Sequence, residues 1–407
     1  MKVIYFHQHF STPHTGGGIR SYEFAKQLIE RGHQVTMVCG GEKDRFNLAA
    51  TKQKNVYRGD VDGIEVIQIA LPYSNNDKVL KRAKTFIEFA IKGVILALRE
   101  NYDLLFATTT PLTVGIPGIF AKCFRRKKFV FEVRDLWPVS SKSLFEATGR
   151  KYPTLLYWAL SFLANSCYRT ADALISLSPG IKEGIESRCQ KGKSIIMIPN
   201  GCDLNLFKPG KREDLLIKGF ATTDIVAVFT GAHGVANGLN AVLDAAKVLK
   251  EKKRNDIKLL FIGEGQTKAS LIERANNEGL DNCMFMGKVS KIELSRIISS
   301  CDIGMQILAN APFFYYGTSP NKFFDYISSG LPVLTNYPGW IADMIHDNKC
   351  GIAVEPNNPI AFAEGLIYLA DNPEARKMYG VYSRALAKSD FDRQRLSNQF
   401  VDFLEKC

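Results

Sequence analysis

No two of the nine cysteines stand at CxxC spacing. That absence removes zinc-ribbon and dithiol redox motifs and leaves reduced, mostly buried thiols, the expectation for a cytoplasmic chain. Long apolar runs are missing too. The strongest, Tyr152 to Tyr168, has 17 residues and contains Pro153, Ser161, Asn165 and Ser166, whereas a membrane span needs about 20 largely apolar residues. The run Lys78 to Glu100 is apolar on one face through Phe86, Ile87, Ala90, Ile91, Val94 and Leu98, but Glu88 and Lys92 interrupt it. A charge at the bilayer centre costs about 2.5–3.5 kcal/mol, so a helix here would lie on a membrane and not cross it. The opening MKVIYFHQHF carries one Lys and then a strand-like run, unlike a signal peptide. No nucleic-acid motif, arginine-rich tail, zinc spacing or DxD-like acidic pair stands out.

What is present is a basic half. The net charge is +12, and residues 1–200 hold 29 Lys+Arg against 17 Asp+Glu while residues 201–407 hold 24 of each. All of the excess therefore sits in the first half, which suits an acidic substrate or an anionic membrane surface. Nucleic acid is the weakest of the candidate partners without a motif to read it. A chain of 407 residues exceeds a single core, so two domains are expected.

The first unit reads strand, loop, helix, strand: KVIYF, HQHFSTPHTGGGIR, SYEFAKQLIERG and QVTMVCG. Phe24, Ala25, Leu28 and Ile29 recur at helical spacing, and Gly32 ends the helix. Gly16, Gly17 and Gly18 precede it, where consecutive glycines let a backbone approach a phosphate; a flexible loop is the more common explanation of such a triplet. Further strands are expected at GIEVIQIA, DLLFATT, KFVFEVRD and ADALISLS, alternating with helices as in a parallel sheet covered on both faces. Ligands of such sheets sit at the carboxyl ends of strands. That rule selects EVRDLWP, where Glu132, Arg134 and Asp135 follow an apolar strand and are expected outside the core; the alternative is an internal pairing of Arg134 with a carboxylate. His7 and His9 end the first strand and are candidates for the same site.

After IPNGCDLNLFKPG the alternation starts again: DIVAVFTG, KLLFIGEG, CMFMGKV, DIGMQIL, LPVLT and GIAVEP, with helical patterns between. Three strand ends carry glycines that keep a rim open for a nucleotide: Thr230 to Gly238 with His233 and Asn237, Ile262 to Lys268 with Gly265, and Met286 to Lys288. The fourth piece is Ala311 to Thr335, APFFYYGTSPNKFFDYISSGLPVLT. Ser319 and Asn321 lie at the turn before a helix, Lys322 offers a cation at its free N–H groups, and Asp325, one turn on, offers a carboxylate to a ribose hydroxyl. The same pattern also describes an amphipathic helix with Phe323, Phe324, Tyr326 and Ile327 inward and Lys322 and Asp325 merely solvated.

Taken together, GGGIRSYEFAKQL, EVRDLWP, SLSPGI, IPNGCD, TGAHGVANGL, FIGEG and NKFFDYISSGLPVL resemble the GT-B-fold retaining glycosyltransferases of family four, over nearly the whole chain. The SPNK and DLWP runs most resemble fucosamine transferases of bacterial O-antigen and capsule pathways. The resemblance implies an α/β GT-B architecture, two Rossmann-like domains facing a cleft. An N-terminal domain at 1–203 would face the acceptor and membrane, a C-terminal domain at 204–385 would bind the donor, and a helix at 386–407 would cross back. It implies that backbone amides at Gly17 and Gly18 approach the donor diphosphate and that Asp325 holds the ribose. It departs from the family pattern where the earlier glutamate would stand, at Gly317. The Arg and Lys usual after the first strand of the second half are also missing, with His233 and Asn237 nearby, so diphosphate charge falls to Lys268 and Lys322.

By resemblance, then, a hexosyltransferase that needs no metal or cofactor would move a sugar, expected to be an N-acetylated amino sugar, from a UDP-linked donor to a polyprenyl-diphosphate-linked saccharide, retaining configuration. Asp135 would orient the acceptor or stabilise the cationic sugar, with Arg134 and His9 beside it. The enzyme is expected on the inner face of the cell membrane, peripheral, held by its basic half and the helix at Lys78 to Glu100. Two rivals remain at this level: a non-hydrolysing sugar-nucleotide epimerase, which needs no acceptor, and an inactive nucleotide-sugar-binding subunit.

Overall fold

The structure is a computed structural model and describes residues 1–15, 18–43, 45–73, 77–146, 149, 151–210 and 219–407. It divides into two compact units, Met1–Pro199 with Gly317–Ser319 and Gln394–Cys407, and Asn200–Tyr316 with Pro320–Arg393.

The first unit runs β1 (Lys2–Phe6), α1 (Arg20–Glu30), β2 (Gln34–Gly41), β3 (Ala49–Ala50), β4 (Val56–Val61), β5 (Ile64–Ala70), α2 (Val79–Arg99), β6 (Leu104–Thr108), α3 (Ile116–Arg125), β7 (Lys128–Val133), α4 (Val139–Glu146), α5 (Thr154–Thr170), β8 (Ala173–Ser176), α6 (Pro179–Glu186) and β9 (Ser194–Met197). Its sheet has the order β3-β4-β5-β2-β1-β6-β7-β8-β9. From β5 to β9 all pairings are parallel, and β6 is buried along its whole length, as a strand covered on both faces must be. The expectation of a wholly parallel sheet is corrected at one edge, where β3 and β4 are antiparallel. The reason is local: Asp62 and Gly63 both take positive φ, 55° and 83°, and join β4 to β5 as a two-residue hairpin.

The second unit runs β10 (Ile225–Thr230), α7 (Asn240–Glu251), β11 (Ile257–Ile262), α8 (Lys268–Asn277), β12 (Cys283–Met286), α9 (Lys291–Ser299), β13 (Ile303–Gln306), α10 (Pro312–Gly317), α11 (Asn321–Ser328), β14 (Val333–Thr335), α12 (Trp340–Asp347), β15 (Gly351–Ala353), α13 (Pro359–Asp371) and α14 (Pro373–Ser389). Every pairing is parallel and the order is β12-β11-β10-β13-β14-β15. This is the doubly wound order that reverses at its first strand, the place where such sheets bind nucleotides.

The last helix, α15 (Arg393–Glu405), returns to the first unit. Its Leu396, Phe400, Val401 and Leu404 join the core of β1, β2, β6 and α1, and the Phe400 ring stacks on Phe24 at 4.1 Å between centroids. On α2, Thr85, Phe89, Ala90, Gly93, Leu96 and Ala97 form the buried face, so the helix packs on its unit through a stripe next to the one first noticed in the sequence. Ile87 and Ile91 stay exposed, at 56% and 58%.

Candidate active site

In the second unit the loops after β10 and β11 are tied together. Gly231 N–H donates to Ile262 O, His233 N–H to Glu264 O, and Thr267 N–H to His233 O. This close approach requires glycine: a Cβ on Gly263 would lie 1.9 Å from Gly231 O, and one on Gly265 2.3 Å from His233 O. Lys268 Nζ completes the tie by donating to Gly263 O at 3.0 Å, Met286 O at 2.9 Å and Glu264 Oε1 at 2.7 Å. Its three donors are spent on the rim, so in this structure Lys268 clamps the ends of β11 and β12 and holds no donor in reserve for a diphosphate.

The helix α11 starts at Asn321, which is exposed, behind Ser319 and Pro320, and no side chain caps it. Phe323 N–H donates to Pro320 O, and the N–H groups of Asn321 and Lys322 are left open to an anion. Lys322 donates from Nζ to Asn237 Oδ1 at 2.7 Å and sits 4.4 Å from the Phe229 ring centroid, while Asn237 donates to Ala232 O. Among the described residues no carboxylate pairs with Lys322. Burial lowers its pKa from the ordinary 10.5 to about 7.

Two sequence assignments read differently in three dimensions. Asp325 is buried, and its Oδ2 accepts from Lys291 Nζ at 2.7 Å, so the carboxylate is already held by the start of α9. Lys291 escaped notice in the sequence, although Ser290 and Glu293 mark a helix start there and Ser290 caps it. The His233 ring is fully buried among Phe229, Phe261 and Phe285, with neither nitrogen hydrogen-bonded, and burial pushes its pKa down to about 4. What His233 presents to the rim is its backbone.

In the first unit the charged triplet separates. Glu132 is fully buried, which corrects the expectation that it stands outside the core. Its Oε1 accepts from Arg20 Nε at 3.0 Å and Nη2 at 2.8 Å, and Thr108 Oγ1 donates to Oε2. Arg20 also donates to the carbonyls of Ile198 and Pro199, so this pair braces α1 against the strand ends. Arg134 and Asp135 are only partly buried; Asp135 Oδ2 accepts from Thr110 Oγ1 at 2.9 Å, and Arg134 N–H donates to Thr109 Oγ1 at 2.7 Å. His9 lies 4.6 Å from the Tyr73 ring, and burial with the nearby Arg45, Arg134 and Arg82 lowers its pKa to about 4. Gly18 is exposed just ahead of α1, and Gly17 lies outside the described residues. Among the described residues no three His, Cys, Asp or Glu side chains gather as a metal site requires.

Two doubly wound units in one chain, the second with an uncapped, lysine-bearing helix start at its carboxyl edge, define a GT-B glycosyltransferase fold. Residues 15–201 match the family described as glycosyl transferase 4-like domain and residues 211–386 the family described as glycosyl transferases group 1, so each of these two stretches belongs to a glycosyltransferase family. Among curated relatives, N-acetyl-alpha-D-glucosaminyl L-malate synthase of Bacillus anthracis is 19% identical over 95% of this chain and 92% of its own. Among solved structures, sucrose-phosphate synthase from Thermosynechococcus elongatus superposes with a TM-score of 0.78 at 14% identity, covering 100% of this chain and 98% of that one. Anabaena HepE, solved in complex with UDP and glucose, gives 0.72 at 16% identity with both chains covered in full. The likeness to fucosamine transferases read from SPNK and DLWP is finer than these matches reach.

Proposed function

We propose that this enzyme transfers an N-acetylated amino sugar, with retention of configuration, from a UDP-sugar to a lipid-linked saccharide in the assembly of a surface polysaccharide. The observation that carries the reading is Lys322: a cation without a carboxylate partner among the described residues, at the open start of α11, beside glycine-built strand ends. In this reading the departing UDP diphosphate develops charge at that helix start, and the ammonium and free N–H groups stabilise it. Asp135, held by Thr110, orients the acceptor hydroxyl; Arg134 and His9 flank it. Asn237 fixes Lys322, and Ser319 and Asn321 shape the turn before it. Gly265 and Met286 form the rim that Lys268 clamps, and the backbone of His233 completes it. Gly18 belongs to the loop that approaches the diphosphate, and Asp325, steadied by Lys291, faces the ribose. The reaction as proposed uses no metal and no cofactor. The UDP complexes of HepE and the N-acetylglucosaminyl product named for the Bacillus relative support the choice of base and sugar class.

A membrane-side acceptor is supported by the first unit's surface. Helices α2, α3 and α5 are neighbours, and each leaves apolar side chains uncovered: Ile87 and Ile91, then Phe124 at 72%, then Leu155, Trp158 and Phe162 at 84%, 66% and 76%. With the positive excess of residues 1–200, this is the composition of a surface that settles into an anionic leaflet from the cytoplasmic side. No described helix is long and apolar enough to cross a membrane. Trp158→Glu with Phe162→Glu is expected to weaken sedimentation with phosphatidylglycerol vesicles by at least about a hundredfold, since the two rings together lose about 3–6 kcal/mol of burial. Charge reversal at Lys78, Lys81, Arg82 and Lys84 should act in the same direction and add salt sensitivity. Unchanged vesicle binding in both variants would sink the membrane assignment.

The direct test offers the purified protein UDP-, GDP- and dTDP-sugars with and without a polyprenyl-diphosphate N-acetylhexosamine and reads products by mass. Acceptor-dependent gain of one sugar from a UDP donor is the expected result. Conversion of the donor with no acceptor present would replace the transferase with an epimerase.

A further inference from the structure

At the carboxyl ends of β1, β2 and β7 the described residues of the first unit collect three guanidiniums, Arg45, Arg82 and Arg134, against the carboxylates of Glu42 and Asp135. Arg45 is partly buried, with Nη2 donating to Ser11 Oγ at 2.9 Å. Arg82, on the first turn of α2, lies 5.8 Å from the Tyr73 ring centroid, and that ring packs on His9 at 4.6 Å. Arg134 follows β7 directly. The fields of Arg45 and Arg134 reach both His7 and His9, that of Arg82 reaches His9, and together with burial they keep both imidazoles neutral. Glu42 lies near Arg45, Asp135 is held by Thr110, and Glu132 is spent on Arg20. Among the described residues no ion pair joins Arg45, Arg82 or Arg134 to a carboxylate. Two buried donor-capable atoms here, His7 Nδ1 and Arg82 Nε, also have no hydrogen-bond partner, although His7 is only 4% exposed.

Three partly buried guanidiniums that no described ion pair neutralises repel one another and are poorly solvated, so a bound anion stabilises the arrangement. The planar fork of each matches the oxygens of a phosphate. We propose that Arg45, Arg82 and Arg134, gathered round His7 and His9, form a subsite for the diphosphate of the acceptor, set one short saccharide from the hydroxyl that Asp135 orients. The proposal rests on the transferase reading and sharpens it. A diphosphate bound this close to Asp135 means that the acceptor is a lipid diphosphate bearing one or very few sugars, and not a long chain. The reaction that supplies it is then a transfer of sugar phosphate from a nucleoside-diphosphate sugar onto a lipid phosphate, with the nucleoside monophosphate leaving.

The test uses the full chain saturated with UDP, so that the donor site is filled, and titrates inorganic diphosphate by calorimetry. Wild type is expected to bind, and Arg45→Gln with Arg82→Gln to bind about a hundredfold more weakly or worse, the loss typical of two charge-assisted hydrogen bonds. Equal binding by the two proteins, or tighter binding of L-malate than of diphosphate, would overturn the subsite. A second arm separates headgroup from free anion: KM is compared for a polyprenyl-diphosphate monosaccharide and for the same monosaccharide as an octyl glycoside. Wild type should prefer the diphosphate acceptor and the double variant should lose the preference; an equal preference in both proteins overturns the proposal. Failure of UDP to bind counts against the transferase alone, because the difference in diphosphate binding between the two proteins still reads the cluster. UDP affinity and melting temperature, measured for both, show that the variant is folded.

Discussion

Lys322→Met is expected to leave the protein folded and to lower turnover by about 10²–10³, the range seen when one preorganised donor to developing charge is removed. Methionine matches the length of the lysine stem and keeps its packing against Phe229, so the loss reports charge and not a cavity. The pH behaviour gives a second readout. The folded pKa of Lys322, about 7, lies below its ordinary 10.5. Between those values the unfolded chain holds a proton that the folded chain lacks, so this residue makes stability rise with pH from about 7 to 10.5 and adds no slope below that window. A diphosphate beside Nζ favours the ammonium and raises the pKa again. UDP binding at pH 8 should therefore take up protons, visible as a binding enthalpy that varies with the ionisation heat of the buffer. Lys322→Met should abolish both the uptake and the rise in stability. Wild-type binding at pH 8 without proton uptake would show that Lys322 does not meet the diphosphate.

Glu132→Ala is the expected large loss of stability. The carboxylate lies in the core with two bonds from Arg20 and one from Thr108, and Arg20 is itself buried. Removing one member of a buried pair strands the other charge, at a cost of about 3–5 kcal/mol. The midpoint of denaturant unfolding should fall accordingly, measured by tryptophan fluorescence. Because the penalty comes from the stranded guanidinium, Glu132→Leu combined with Arg20→Met should recover much of it. If the double variant is as unstable as the single one, the pair contributes through Arg20's bonds to Ile198 and Pro199 and not through charge.

Much of this was legible in one dimension. The alternation of apolar strands with helical patterns located the parallel strands from β1 through β8 and all six of the second unit, because a strand covered on both faces must be apolar throughout. The edge strands β3 and β4 and the short β9 were harder. Half-exposed strands carry mixed residues, and the signal that would have found β4, the Asp62-Gly63 pair that favours a tight hairpin, went unread. At the site, SPNK and the glycine-rich strand ends identified the elements, since backbone approach and an open helix start are written in residue type and order.

What the sequence by itself determined is the doubly wound architecture of each unit, the positions of its glycine turns and the presence of Lys322 at a helix start. Which charges stand free was decided only by the tertiary structure. Glu132 and Asp325 look alike in sequence, as acids beside apolar runs, yet both are held by cations 112 and 34 residues away, Arg20 and Lys291. Lys268 and Lys322 look alike too, but one is spent on carbonyls and a glutamate while the other, among the described residues, bonds to the Asn237 amide and to no acid. The physical reason is that the free energy of a charge depends on burial and on neighbours a few ångströms away, and those neighbours come from distant parts of the chain.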